Sequence, residues 1–180
     1  MSLQSAATMP NHSASADVET VYRLERPDDA GVIDALHEET FGPGRFARAA
    51  FRLREGVDHD PRLSLVALRG DRLVGSVRMT PIGIGPAPAL LLGPLAVRPH
   101  LKNQGIGKAL MRMSMEAARA DGHALVLLVG DLPYYWPFGF RTVRSGSIEM
   151  PGPVDPARLL IAELVPGAAE TAEGRAIAGL

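Results

Sequence analysis

The sequence predicts a mixed α/β (α+β) domain, and three observations carry that prediction. Apolar periodicity switches repeatedly between the alternation of strands and the one-face spacing of helices, with no internal repeat. Two runs, "ALLLGPLAV" and "ALVLLVG", are apolar nearly throughout, as strands buried on both faces are. Between them, residues 105–121 separate apolar from charged residues on opposite helical faces.

Taken in order, residues 1–17 are Ser/Ala-rich without periodicity and read as a disordered tail ahead of one domain over 18–165. "TVYRLERP" reads as a first strand. "PDDAGVIDALHEETFG" reads as a helix with acidic residues in its first turn and Gly42 past its end. A short helix from Phe46 to Arg54 follows. "SLVALR" and "RLVGSVRMTP" form a hairpin about the Gly70-Asp71 turn, after which Pro81, Pro86 and Pro88 are expected to end the strand in a loop. In "ALLLGPLAV" the Gly93-Pro94 pair interrupts a central strand and suggests a bulge. The helix after Gly105 should bury Ile106, Leu110, Met113 and Ala117, and Gly122 stops it. "ALVLLVG" is the next strand, "DLPYYWPFGF" a short turn or helix, "FRTVRS" the start of another strand, and "RLLIAELV" the last one. Residues 166–180 read as a C-terminal tail, at most a frayed helix.

Composition bounds the function. Nineteen basic residues against 20 acidic ones give a net charge of −1, so no global field attracts nucleic acid or anionic membrane. The absence of cysteine excludes disulfides, thiolate metal sites and a cysteine nucleophile. No apolar run approaches the roughly 18 residues of a membrane span, and the N-terminal stretch lacks the features of a signal peptide, so a cytoplasmic location is the expectation. His59, His100 and His123 stand without Asp or Glu at ligand spacing, and no metal is expected.

The chemistry-bearing stretch is "KNQGIGKAL", 102–110, where a strand leads through Gly-x-Gly into a helix. Such a junction exposes helix amides at the positive end of the dipole and suits a phosphate. The same glycines also serve a plain tight turn. A Walker A loop would require Gly at Lys102 and Ser or Thr at Ala109, and a Rossmann fingerprint would require Gly or Ala at Leu110. Both patterns fail.

The stretch resembles motif A of the GCN5-related N-acetyltransferases (GNAT), Q/R-x-x-G-x-G/A, with Lys102 in place of the usual Gln or Arg. Upstream, "LLLGPLAVRPHLKNQGIG" resembles the family's fourth strand. Downstream, "LLVGDLPYYWPFGF" resembles its fifth strand and the Y-x-x-x-G-F pattern that follows, here Tyr135 to Phe140. The nearest likeness is to a subgroup with the motif Gly-Asp-x-x-Tyr-Tyr-x-x-Phe-Gly-Phe. The resemblance is clear over residues 90–143. It implies the acyl-CoA N-acyltransferase fold, a mostly antiparallel mixed sheet flanked by helices and splayed where the fourth and fifth strands run parallel.

It also implies acetyl-CoA as cosubstrate. The pantetheine arm would meet main-chain groups of Leu95, Ala96 and Val97. The pyrophosphate would meet Lys102, Asn103, Gln104, Gly105, Ile106, Gly107 and Lys108, with Tyr134 and Phe138 flanking the coenzyme. Direct attack by a primary amine in a ternary complex would use the Val97 N–H as oxyanion donor and Tyr135 as general acid on the leaving thiolate. The aromatic residues of "YYWPF" also read as a packing cluster. Glu39 and Asp131 are the candidate bases, Glu39 reading equally as a solvated helix end and Asp131 as a helix cap. Arg78 and Thr80 either line the acceptor site or face outward from the strand. The acceptor is a small molecule, an amino acid or a peptide, with no nucleic acid or membrane partner and a homodimer through the C-terminal strand compatible with the family. The competing reading is a non-catalytic acyl-CoA-binding or partner-binding module of the same fold; a nucleotide-binding regulator is a third.

Overall fold

The computed structural model describes residues 19–44 and 49–179. The expected tail over 1–17 and residues 46–48 of the expected second helix lie outside the described residues. In chain order the elements are β1 (Thr20–Leu24), α1 (Ala30–Phe41), α2 (Ala49–Arg52), β2 (Leu65–Arg69), β3 (Arg72–Ile84), β4 (Ala87–Val97) and α3 (Ile106–Ala120). There follow β5 (Leu125–Val129), α4 (Leu132–Tyr135), β6 (Arg141–Thr142), β7 (Ile148–Glu149), β8 (Leu159–Glu163) and β9 (Gly174–Ala178).

Strands β1 to β4 form an antiparallel meander, β5 joins β4 in parallel, and β8 and then β6 extend the sheet antiparallel beyond β5. This is the mixed, mostly antiparallel sheet flanked by helices that the resemblance implies, with β4 and β5 as the parallel pair at its centre. Alternation along the strands sorts the core into two faces. Leu90 and Leu92 of β4 and Val126 and Leu128 of β5 pack with Leu110, Met111 and Met115 of α3. Leu91, Leu125 and Leu127 face the other way and pack with Leu53, just past α2. Ala96 joins Ile33 and Leu36 of α1 on that second face.

Three expectations are corrected. Pro81 does not end its strand, for β3 runs on to Ile84 and Pro88 lies inside β4. The Pro81 carbonyl accepts from Gly179 N–H at 3.2 Å, so its donor-less nitrogen also points away from β4 and no β3–β4 bond is forfeited. Residues 166–180 are not a tail or a frayed helix, because Gly174–Ala178 forms β9, which pairs with β3 through Ala176 to Ala178 and with β7 through Gly174 and Arg175. "RLLIAELV" is therefore not the last strand. The buried arc of α3 is also turned from the expected one: Ile106 and Leu110 are buried, but Met111, Ser114, Met115 and Ala118 join them, while Met113 and Ala117 lie at the margin. The polar Ser114 sits within that arc because its hydroxyl donates to Leu63 O at 3.3 Å.

Candidate functional site

Strands β4 and β5 pair only at Leu90–Val126 and Leu91–Leu127 and then part. Beyond that point β4 keeps β3 on one edge through Leu95, Ala96 and Val97, and its other edge faces the gap. The Arg98 amide donates to Val74 O of β3 at 2.9 Å. Main-chain groups alternate sides along a strand, so Leu95 and Val97 turn their N–H and C=O into the gap while Ala96 turns its own to β3. Ala96 is the one expected pantetheine contact whose main chain faces the wrong way. The splay begins at Gly93, whose φ of +123 is a conformation open to glycine, where the register against β3 shifts between Val77 and Met79.

At the far end of the gap the chain turns into α3 through two left-handed residues, Asn103 (φ 64) and Gly105 (φ 84). Ala109 N–H is bonded to Gly105 O at 2.9 Å, so the amides of Ile106, Gly107 and Lys108 precede the first intrahelical bond. Lys102, Asn103, Gln104, Gly105 and Lys108 are exposed, while the Ile106 side chain is buried, leaving its amide as its contribution. Gly75 on β3 lets the helix start this close to the sheet: a Cβ there would meet Leu110 Cδ1 at 3.1 Å and Ile106 Cγ2 at 3.2 Å.

The aromatic turn closes the other wall. A Cβ on Gly107 would stand 2.7 Å from the Tyr134 hydroxyl and 3.6 Å from Val97 Cγ2, so β4, α3 and α4 meet at this glycine. The Tyr134 and Phe138 rings are 6.3 Å apart. Beyond them a cleft of about 530 Å3 runs along α3, lined by Lys108, Arg112, Glu116, Arg119, Pro137 and Phe138. The Tyr135 ring lies deeper, edge-on to Tyr134 at 4.9 Å and to Phe140 at 5.8 Å. Burial, helped by the neighbouring Tyr134 and Asp131, pushes the Tyr135 phenol up to about 12.

A splayed parallel pair, a glycine-led helix start beside it and a tyrosine-bearing turn across it are now in place. The profile of the acetyltransferase (GNAT) family matches residues 20–136. The chain belongs to the acetyltransferase (GNAT) family. It is 32% identical over 122 residues to the uncharacterised N-acetyltransferase YhbS of Escherichia coli K12, covering 66% of this chain and 72% of that one. It is 30% identical over 136 residues to the uncharacterised N-acetyltransferase YjhQ of the same strain, covering 73% and 75%. Among solved structures, YhbS from E. coli in complex with CoA superposes with a TM-score of 0.76 at 24% identity over 93% of each chain. A GNAT family acetyltransferase from Brucella melitensis in complex with acetyl-CoA gives 0.59 at 29% identity, covering 79% of this chain and 95% of that one.

Other expected residues of this GNAT chain fall in different places. Val97 stands beside Gly107 and the helix start. The Glu39 carboxylate accepts from Arg98 Nη1 at 2.6 Å, and Arg98 Nε donates to Leu73 O, which braces the end of α1 against the end of β4. Asp131 is largely exposed and paired with Arg158 at 3.0 Å. Arg78 and Thr80 do not face outward: Thr80 is 1% exposed, and Arg78 forks onto Glu25 through Nε at 2.8 Å and Nη2 at 2.5 Å. Both lie on the face opposite α3. The fold also gathers Asp60, Asp121 and His123, which their spacing did not announce, but Arg62 already bonds both carboxylates.

Sequence reading missed Glu25, Arg54, His59 and Gly130. Glu25 is buried, and His59 Nε2 lies 3.3 Å from its Oε1. Burial, ahead of the opposing pull of Glu25, holds the His59 imidazole below the usual histidine range. Glu25 follows β1, Arg54 and His59 lie in the connection between α2 and β2, and Arg78 is on β3, so no single spacing signal joins the four. Gly130 was legible as half of a Gly-Asp pair; its role, contact with Tyr135, was not.

Proposed function

We propose that this protein transfers the acetyl group of acetyl-CoA to a primary amine by direct attack in a ternary complex, within the Gly-Asp-x-x-Tyr-Tyr-x-x-Phe-Gly-Phe subgroup of its family. The observation that carries the reading is the meeting of Val97, Gly107 and Tyr134 at the open end of the β4–β5 gap, over unbonded helix amides. Coenzyme A needs such a junction: amides for its pyrophosphate, an unpaired strand edge for its pantetheine, and cations nearby. Lys108, Arg112 and Arg119 along α3 supply the last. That relatives were crystallised with CoA and with acetyl-CoA supports the same ligand here.

With the phosphates at 102–108, the arm runs back along β4 and the thioester lies several residues nearer Gly93. Counted along the chain, Gly130 follows Leu127 by three residues as Pro94 follows Leu91, the last β4–β5 pair before the strands part. On this reading Tyr135, packed on Gly130, lies across the gap from the Gly93–Leu95 segment. We accordingly assign the oxyanion to the Leu95 N–H, in place of Val97, whose amide is left for the pantetheine. The amine nitrogen attacks the thioester carbonyl carbon, negative charge collects on the carbonyl oxygen at Leu95, and the C–S bond breaks. The thiolate takes the Tyr135 proton, which a phenol raised to about 12 retains at neutral pH. The ammonium proton leaves on the opposite face of the sheet. Glu39 and Asp131 would have to release Arg98 and Arg158 to accept it, whereas His59 is held neutral by burial.

The test is thermal melting with acetyl-CoA, ATP and NAD, followed by thiol release with a panel of amines. A shift with acetyl-CoA alone, and amine-dependent thiol release, is the expected result. A shift without release from any amine would favour the acyl-CoA-binding module, and a shift with ATP alone would favour the nucleotide-binding regulator.

A further inference from the structure

The sheet face turned away from α3 is apolar in two places and polar between them. Ile33, Leu36 and Ala96 cluster beneath α1, and Leu53, Ile82 and Leu91 cluster near α2. In the seam between them stand Arg78, at the point where β3 shifts register, with Glu25, His59 and Arg54.

Asp58 is exposed and acts on His59, and among the described residues Arg54 has no acidic partner in this seam. Glu25 is taken up by both donors of the Arg78 fork, and Asp60 is held by Arg62. Among the described residues no carboxylate lies within ion-pair distance of Arg54; its neighbours are the Phe51 ring, 6.0 Å from its Cζ, and the like charge of Arg78. Burial and then Arg78 lower the Arg54 pKa to about 10, which still leaves it cationic at neutral pH. A mostly buried guanidinium without a counter-ion is costly for a fold to keep. A ligand that brings the anion removes the cost.

The position of the tip says which ligand. A Cβ on Gly93 would have Arg54 Nη1 at 3.7 Å and the Leu95 nitrogen at 3.8 Å, so both lie within 4 Å of one point. The cation therefore lies no farther than 7.5 Å from the amide assigned to the reacting carbonyl, on the face away from α3. Anything bonded to Arg54 is held close to the attacking nitrogen. A carboxylate matches the planar fork of Arg54, which has no carboxylate within ion-pair distance among the described residues. We propose that Arg54 binds the carboxylate of the amine acceptor, so that the substrates are amino acids or similar compounds with the carboxylate one or two carbons from the amine, and not polyamines or lysine side chains. This rests on the acetyl-transfer reading.

The test sets free α- and β-amino acids against their amides, in matched pairs, with acetyl-CoA and thiol release as the readout. The same pairs as N-acetyl products are titrated calorimetrically into the CoA-loaded protein, which needs no turnover. Expected is a preference in kcat/KM of more than about tenfold for the free acid in at least one pair, collapsing in Arg54→Met and partly kept in Arg54→Lys. The Met variant should melt no lower than the parent, since it removes an uncompensated buried charge, so a loss of selectivity is not misfolding. Equal turnover of acid and amide in every productive pair would overturn the inference and leave acetyl transfer standing. No turnover, with Arg54-dependent binding of the N-acetyl acids, would overturn the transfer reading and keep the carboxylate site. Neither turnover nor acid-selective binding would overturn both.

Discussion

The Tyr135 ring lies directly on Gly130: a Cβ built on that glycine would fall on the ring's Cε2 and stand 3.0 Å from Cδ2. The glycine directly follows β5, so the contact holds the ring against the end of that strand.

Gly130→Ala should therefore displace a ring that is also wedged against Phe140. We expect a loss of stability of about 1–3 kcal/mol, read as a lower melting temperature, together with loss of turnover. Tyr135→Phe keeps the ring and removes only the hydroxyl. It should leave acetyl-CoA affinity within about twofold while lowering kcat by about a hundredfold. Equal kcat in the two proteins would return Tyr135 to the packing role its aromatic neighbours also allow.

The raised Tyr135 pKa has a signed consequence. The folded value of about 12 lies above the ordinary tyrosine value of about 10, so the neutral phenol favours the folded state. That stability is fully present below about pH 10 and is lost as pH rises through 12. Denaturant melts between pH 9 and 12 should fall more steeply for the parent than for Tyr135→Phe, and ultraviolet titration of the variant should lack the last-ionising tyrosine.

Gly107 carries a different constraint, because what its Cβ would meet at 2.7 Å is the tip of the Tyr134 side chain. Gly107→Ala can be absorbed by rotation of that partly exposed ring and should cost coenzyme affinity modestly, about threefold to tenfold. Gly107→Glu puts a like charge where the pyrophosphate belongs and should abolish binding in calorimetry. Retained affinity in the Glu variant would remove the phosphate from this turn.

Three single variants separate the candidates for the amine proton. His59→Gln should lower kcat/KM and shift its acid limb, which in the parent should lie below the ordinary histidine value of about 6.5. Glu39→Gln and Asp131→Asn should instead change the melting temperature slightly, through the lost Arg98 and Arg158 pairs, and leave the pH profile in place. A vanished acid limb in Glu39→Gln would make that carboxylate the base.

Much of the strand-loop-helix junction proposed for the coenzyme was legible from residue order alone. Glycines, an apolar strand and an amphipathic helix in sequence specify a strand-loop-helix junction, because backbone conformation and periodicity are local properties; Gly93, Gly105 and the 106–120 helix all follow from them. The two tyrosines were marked by the resemblance of one short segment to the family's motif. The acceptor side was not legible. Glu25, Arg54, His59 and Arg78 are separated by up to 53 residues, and whether each is paired or left without a counter-ion depends on which strand and helix carry it to the seam. Pro81 read as a strand end because proline lacks a donor, and only the pairing of β9 with β3 determined that no donor was needed there. The buried arc of α3 was turned for a similar reason, since the sheet beneath it selects the helical face. Local chemistry was thus determined by the sequence itself, while counter-charge, burial and the level of each group along the gap were decided by contacts between distant segments, which have no period to read.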